Sequence, residues 1–504
     1  DTDIYVYWAS YSHQTGFIGN LDSHYGDHEP IQVVVNDTTG EVERIRASVY
    51  HWIKGEAFAS EFYNYNLIHD RLRELRHYHQ TGDYARLKRA IREGLHHDLG
   101  NISNPALYHN SYVGTKHLIE EYVNQVCESI NLLCDTPMQE LPESEKLGFF
   151  KDTLLSYGRP ALLLSGGATL GLFHLGVIRT LWERDLLPQV ISGSSAGAVM
   201  AAMVGTTPDD ELDQLLEPER HNLKAWRWKG VVNGLRGAGF MDQGVLEQCL
   251  RENIGEFTFE EAFQHTGRST NISVSSDQGQ YGARLLSGYT SPYMLVWSAA
   301  LASSAVPGVF PPVQLQKKDH QGATVPYMPR LRFVDGSVVS DLPRERLMHL
   351  YDVNFTLVSQ TNPHVVPFLR RDHGQSRESL ASLPLSLLKA EMQFHGKGLF
   401  DVLRRRMRPE LARQACGQIY TIMAQQYQGD VTLAPRYRMR HFRRMMSNPS
   451  PEFVREMMLE GERATWPLIS QIRTHAKISR TLEGCIRRLR QHNRKGAELH
   501  VIAS

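Results

Sequence analysis

The distribution of apolar positions changes character three times along the 504-residue chain. Residues 1–55 mix aromatic and polar side chains with turn signals at Asn36-Asp37 and Thr39-Gly40, and predict short strands or loops. From about Phe58 to Leu133 the period is helical. Tyr84, Leu87, Ile91 and Leu95 follow Asp83 at spacings of three and four, so Asp83 is expected to cap an amphipathic helix ending near Gly100. A second helix from about Thr115 would bury Leu118, Tyr122, Val126, Ile130 and Leu133.

After a polar connector at 137–147 the pattern becomes one of short continuous apolar runs. Residues 159–164 end at a glycine pair, as a buried parallel strand does, and further strands are predicted at 190–192, 271–276, 331–334 and 355–359. Helices are predicted between them, near 172–184, 196–204, 243–253 and 294–303. This alternation predicts an α/β fold with a mainly parallel sheet. Beyond about Pro384 strands are expected to give way to Met- and Arg-rich helix. The resulting division is 1–55, a mixed segment; 56–150, a helical domain; 155–365, the α/β domain; and 366–504, a basic helical region.

The longest apolar stretches, 161–178 and 294–310, are broken by Gly, Ser, His or Pro, whereas a membrane-spanning helix needs about 20 predominantly apolar residues. They read as strand-turn-helix units of a soluble or peripheral protein. Lys and Arg together (55) balance Asp and Glu (55), but the balance is uneven in space. Residues 396–504 hold 21 basic and 9 acidic residues, a surplus of 12 that the preceding chain offsets. Arg there alternates with Met, Phe, Leu and Ile, which suits either an interfacial helix or a solvated face of a packed one. Nucleic acid explains it less well, because no recognised fold or aromatic platform accompanies the charge. The five cysteines lack metal or disulfide spacing, and the first 25 residues lack the basic start and apolar stretch of a signal peptide; a cytoplasmic location is expected.

The chemistry centres on Gly193-Ser194-Ser195-Ala196-Gly197, lying between a predicted strand and a predicted helix. In Gly-x-Ser-x-Gly the glycines allow a tight strained turn that presents the serine hydroxyl beside a helix N-terminus, so Ser195 is the candidate nucleophile. About 25 residues earlier, Ser165-Gly166-Gly167-Ala168-Thr169-Leu170-Gly171 joins a strand to a helix with backbone N–H groups suited to an anion. No Lys follows these glycines, and Ala168 interrupts the dinucleotide-binding pattern, which favours a transient oxyanion over a phosphate. Asp335, at the end of a predicted strand and followed by Gly336, is the candidate base. His349 and His364 follow it in the chain order of α/β-hydrolases and are rival bases. His174 reads as a packed helix residue.

In order and spacing, Gly-Gly-Ala-Thr-Leu-Gly, Phe-His-Leu-Gly-Val, Gly-Ser-Ser-Ala-Gly, Ala302-Ser303-Ser304-Ala305-Val306-Pro307-Gly308 and Asp335-Gly336 with Leu342-Pro343 resemble the patatin-like phospholipases over roughly 155–365. Residues 56–134 resemble the helical domain preceding the patatin domain in yeast and plant triacylglycerol lipases and their bacterial relatives. The resemblance implies a three-layer α/β/α domain and a Ser-Asp dyad with no catalytic histidine. Ser195 would be the nucleophile, Asp335 the base, and the backbone of Gly166, Gly167 and Ala168 the oxyanion hole. Gly171, Gly193, Gly197 and Gly336 would support the motifs, with no metal or cofactor. It further implies a peripheral hydrolase of triacylglycerol or glycerophospholipid at a membrane or lipid-droplet surface. A lysophospholipid acyltransferase and a silent lipid-binding scaffold are the alternatives. The chain departs from many patatin domains at Ala168, Leu170 and Ser337.

Overall fold

The computed structural model describes residues 2–7, 31–36, 42–47, 62–109, 115–217, 224–230, 239–277, 282–338, 341–363, 365–366, 428–437 and 439–503. They fall into two compact units, one of the described residues up to 159 together with those from 467 on, the other of those from 160 to 466. The expected C-terminal region 366–504 is therefore not one body. Its final helix belongs with the N-terminal helices, and the helix before it belongs with the α/β sheet.

In the first unit, β1 (Thr2–Tyr7), β2 (Ile31–Asn36) and β3 (Val42–Ala47) form an antiparallel sheet. Helices follow at Tyr65–Thr81, Tyr84–Gly94, His117–Asp135 and Glu143–Tyr157. Asp83 caps the second, its carboxylate accepting from the Arg86 N–H at 3.1 Å, but that helix stops at Gly94 rather than near Gly100. Ile119, Tyr122, Val126, Ile130 and Leu133 form one buried stripe along the third. The long helix Ile469–Ala503 packs on the third and fourth through Ile478, Leu482, Cys485, Ile486 and Leu489. Lys146 is fully buried here, and its ammonium is satisfied by the Cys134 and Thr136 carbonyls, at 2.8 and 3.0 Å, and by Glu143. It thereby answers carbonyls left open at the end of His117–Asp135.

The second unit is built on a seven-stranded sheet. Its strands are β4 (Arg159–Leu164, whose first residue closes the other unit), β5 (Val190–Gly193), β6 (Ser269–Ser276), β7 (Arg284–Ser287), β10 (Phe333–Asp335), β11 (Val353–Ser359) and β12 (Val431–Leu433). A separate short hairpin supplies β8 (Gln316–Lys318) and β9 (Thr324–Pro326). The order is β10-β6-β5-β4-β11-β12, with β7 also on β6. The β4/β5, β5/β6 and β11/β12 pairs are parallel, while β7 and β10 run antiparallel to β6. Strands β4 and β5 are buried almost throughout, which is why they read as unbroken apolar runs.

One expectation needs correction: a strand, β12, lies beyond Pro384, in parallel register with β11. The strand carrying Asp335 is an antiparallel edge strand of the mainly parallel sheet.

The helix Pro451–Thr465 buries Phe453, Val454, Met457 and Met458, and crosses the helix Phe173–Glu183 at closest range through two glycines. A Cβ on Gly176 would overlap the Met458 carbonyl, and one on Gly461 the Phe173 carbonyl. The apolar face of this helix is thus spent on the core, as are the described apolar side chains Ile478, Leu482, Cys485, Ile486 and Leu489 of Ile469–Ala503 on the other unit. Arg404-Arg405-Arg406 lies outside the described residues. Gly461→Val should force the crossing apart and cost about 1–3 kcal/mol, the usual range for overpacking a tight contact. Thermal unfolding checks this, and an unchanged midpoint would contradict the crossing.

Candidate active site

Strand β5 ends at Gly193 and the helix Ala196–Thr206 follows, so Ser194 and Ser195 alone make the turn. The Ser195 backbone takes φ 52°, ψ −123°, a left-handed conformation that L-residues avoid at a cost on the order of 1–3 kcal/mol. Contacts on both sides impose it. A Cβ on Gly193 would overlap the Gly197 carbonyl, and one on Gly197 would overlap the Leu164 carbonyl of β4. The Ser194 N–H donates to that same Leu164 carbonyl at 3.1 Å, and the Ser195 N–H to Ser303 Oγ at 2.9 Å. Ser303 in turn donates to the Ser273 carbonyl of β6 at 2.7 Å.

The loop after β4 packs directly on this turn. A Cβ built on Gly166 would lie 3.2 Å from Ser195 Cβ, and one on Gly171 would lie 2.6 Å from Ala196 Cβ. Gly167 is equally confined, by Thr361 after β11. Ala168 adopts φ 50°, a conformation better suited to glycine. His174 lies beneath the loop, fully buried, with Nδ1 accepting from Ser359 Oγ at 2.7 Å and Nε2 donating to the Ser165 carbonyl at 3.0 Å. Burial pushes its pKa down to about 4, so it stays neutral and ties the loop to β11.

One expected oxyanion donor is lost. The Gly166 N–H is already committed to Asp341 Oδ1 at 3.0 Å. The N–H groups of Gly167 and Ala168 have no acceptor among the described residues, and both residues line the cavity beside Ser195. The N–H of Ala196, immediately after Ser195 and also on the cavity wall, is in the same condition. Its place at a strand-turn-helix serine was the signal that could have marked it in the sequence.

Asp335 ends β10 with no exposed surface. Its Oδ1 accepts from the Ser337 N–H at 2.8 Å, while the buried Oδ2 makes no hydrogen bond of normal geometry among the described residues. The Ser195 hydroxyl nevertheless lies close enough to favour the charged form, and such contacts often tighten only when substrate binds. Burial dominates and raises the pKa to about 6, against the pull of Ser337 and Ser195. Gly336 has no room for a side chain, since a Cβ would overlap the Ser273 carbonyl. His349 is exposed on the helix Arg344–Tyr351 and does not line the cavity; His364 lies outside the described residues.

Ser195 and Asp335 share one cavity of about 320 Å³. Its walls are largely apolar: Leu172, Val199, Met200, Met203, Leu246, Leu250, Val309 and Phe310. Trp226 and Met445, Met446 and Pro449 complete it, and these were not expected from the sequence. The two rim segments are joined by Asn448, which accepts from the Trp226 N–H at 2.8 Å and donates to its carbonyl at 2.9 Å. The Thr169 N–H also donates to the Met445 carbonyl at 3.1 Å. Among the described residues, no group of three or more His, Cys, Asp or Glu is placed to hold a metal ion.

The segment that holds the strained turn, the buried carboxylate and the glycine loop also resembles known proteins. Residues 162–348 match the family model described as patatin-like phospholipase. Residues 162–348 are thus a patatin-like phospholipase domain. Residues 50–154 match a second model, a domain of unknown function (DUF3336). Triacylglycerol lipase 4 of Saccharomyces cerevisiae is 34% identical over 461 residues, covering 88% of this chain and 49% of that protein. Triacylglycerol lipase SDP1L of Arabidopsis thaliana is 34% identical over 476 residues, covering 88% and 57%. A patatin-like phospholipase domain-containing protein of Chaetomium globosum is 35% identical over 432 residues, covering 82% and 49%. The chain thus spans about half the length of the curated relatives it matches. The mainly parallel sheet with flanking helices is the patatin-like fold, and the helical regions on either side of it in sequence complete the expected architecture.

A base must be ionised to accept a proton. Were Asp335, raised to about 6, the base of an ester cleavage, the rate should fall as pH drops through about 6 and level off above it. A kcat/KM profile between pH 4.5 and 8.5 checks this, and a limb near the ordinary carboxylate pKa of about 4 would contradict the buried base.

Proposed function

We propose that this protein is a lipid acyl-ester hydrolase in which Ser195 and Asp335 work as a dyad through an acyl-enzyme. The observation that carries the reading is the pairing of the strained Ser195 turn with a fully buried Asp335 on one apolar cavity. The Ser195 hydroxyl attacks the ester carbonyl as its proton passes to Asp335, and the carbonyl oxygen becomes an oxyanion facing the N–H groups of Gly167, Ala168 and Ala196. The C–O bond to the alcohol breaks as Asp335 returns the proton to the departing oxygen. Water then repeats the sequence on the acyl-Ser195 ester and releases the fatty acid. Each preorganised donor is worth roughly 10²–10³ in rate, which compensates for an aspartate being a weaker base than histidine.

The apolar walls suit a fatty acyl chain, and the names of the yeast and plant relatives favour triacylglycerol or a glycerophospholipid as substrate. No helix among the described residues is long and apolar enough to cross a membrane. The two segments that bring Trp226 and Met445 to the cavity also expose Trp228 and Met446 and carry Lys224, Arg227, Lys229, Arg443 and Arg444, which suits peripheral contact with a lipid surface. Within the Met- and Arg-rich C-terminal region this favours the stretch 443–446 over the later helices, whose described apolar side chains are largely buried.

Release of fatty acid from emulsified triacylglycerol and from phosphatidylcholine vesicles tests the reading. Ser195→Ala should reduce it to background, and Asp335→Asn should lower kcat by roughly 10²–10⁴, the usual contribution of a general base. Full activity of Asp335→Asn with loss on substituting His349 would instead establish a histidine base.

A further inference from the structure

The rest of the site turns on a buried carboxylate to which neither the family pattern nor the dyad assigns a task. Asp341 is 1% exposed and lies six residues after Asp335. Its two oxygens hold two different pieces of the site. Oδ1 accepts the Gly166 N–H at 3.0 Å, and Oδ2 accepts from Asn362 Nδ2 at 2.5 Å. Its backbone carbonyl accepts from Ser194 Oγ at 2.7 Å, which attaches it to the residue preceding the nucleophile. Asn362 lines the cavity, and its Oδ1 lies 3.3 Å from where a Gly166 Cβ would stand.

We infer that Asp341 is the positioning residue of the oxyanion loop: it draws the first glycine's N–H away from the cavity, orients Asn362, and so aims the next two N–H groups at the carbonyl bound to Ser195. This inference rests on the hydrolase reading of the same site. The physical argument is one of constraint. The loop after β4 is irregular, and its glycines would otherwise give it many conformations. A carboxylate accepting two hydrogen bonds from fixed donors removes that freedom, as an oxyanion hole requires before the charge develops. A carboxylate can accept at both oxygens, whereas an asparagine there would place an NH₂ against either the Gly166 N–H or the Asn362 NH₂. The pair could be reconciled only by turning over the Asn362 amide, which changes what faces the cavity beside Ser195.

The test compares the full chain with Asp341→Asn and Asn362→Ala, using p-nitrophenyl butyrate turnover and the rate of labelling by a fluorophosphonate probe. Both readouts need the oxyanion donors, and neither needs a lipid surface. Asp341→Asn should fold, lower kcat and the labelling rate each by about 10- to 100-fold, and leave KM within about twofold, in line with a mispositioned rather than missing donor. Asn362→Ala should repeat the pattern more weakly, and decides the matter if Asp341→Asn does not fold. Wild-type kcat and labelling rate in a folded variant would overturn the inference, as would a loss appearing only in KM or only in thermal stability. Failure of the hydrolase reading is separate, since it shows as no Ser195-dependent labelling in the unmodified protein.

Discussion

Three backbone segments meet at the Ser195 turn with no space between them, and this crowding governs the second unit. The end of β4, the end of β5 and the start of the helix Ala196–Thr206 approach so closely that Gly193 and Gly197 admit no side chain. Ser195 is held at positive φ because its own N–H is fixed by Ser303 and that of Ser194 by the Leu164 carbonyl. The parallel pairing of β4 with β5 sets the register that makes the meeting possible, with Leu164 opposite Gly193. The glycine loop, which leaves β4 at that point, packs between the Ser195 turn and Thr361. The strain in the turn is therefore supported by the sheet and is expressed as the presentation of one hydroxyl at a cavity wall.

Burial supplies the second half of the chemistry. An aspartate in water is a poor base near neutrality, but taking Asp335 out of water lifts it from 3.8 to about 6, roughly a hundredfold gain in proton affinity or about 3 kcal/mol. Burial raises Asp341 as well, to about 7, with Asp335 as a like-charged neighbour and the Gly166 N–H opposing the rise. His174 moves the opposite way for the same reason, because desolvation disfavours whichever form is charged. One dry environment thus makes a carboxylate basic and keeps an imidazole neutral, which is why a histidine can sit under the loop as a brace.

Much of this was legible in the chain because its signals are local. Gly-Ser-Ser-Ala-Gly, the glycine loop and Asp335-Gly336 each carry their steric reason within a few residues, and the structure brings all three to one cavity. What was not legible depends on long-range pairing. The strand Val431–Leu433 is three residues long and pairs with β11 some seventy positions earlier, too short to leave a period of its own. Asp341 sits between Ser340 and Leu342, and nothing beside it says that its carboxylate is buried against Gly166 and Asn362. The Arg- and Met-rich C-terminal helices carry the pattern of an interfacial helix, and only packing reveals that Phe453, Met457 and Met458 are buried on a helix lying against Phe173–Glu183 while Leu482 and Ile486 join the core of the N-terminal helices. An amphipathic stripe records that a face is buried, not what covers it.

The central claim is that the hydroxyl held at the strained turn becomes covalently acylated. Acid-quenching the protein during turnover of p-nitrophenyl butyrate and mapping its peptides by mass spectrometry reads this directly. The account predicts a butyryl ester on Ser195 and on no other residue, with less than stoichiometric occupancy. Turnover with no acylated peptide, or with the acyl group on a histidine or another serine, would contradict it.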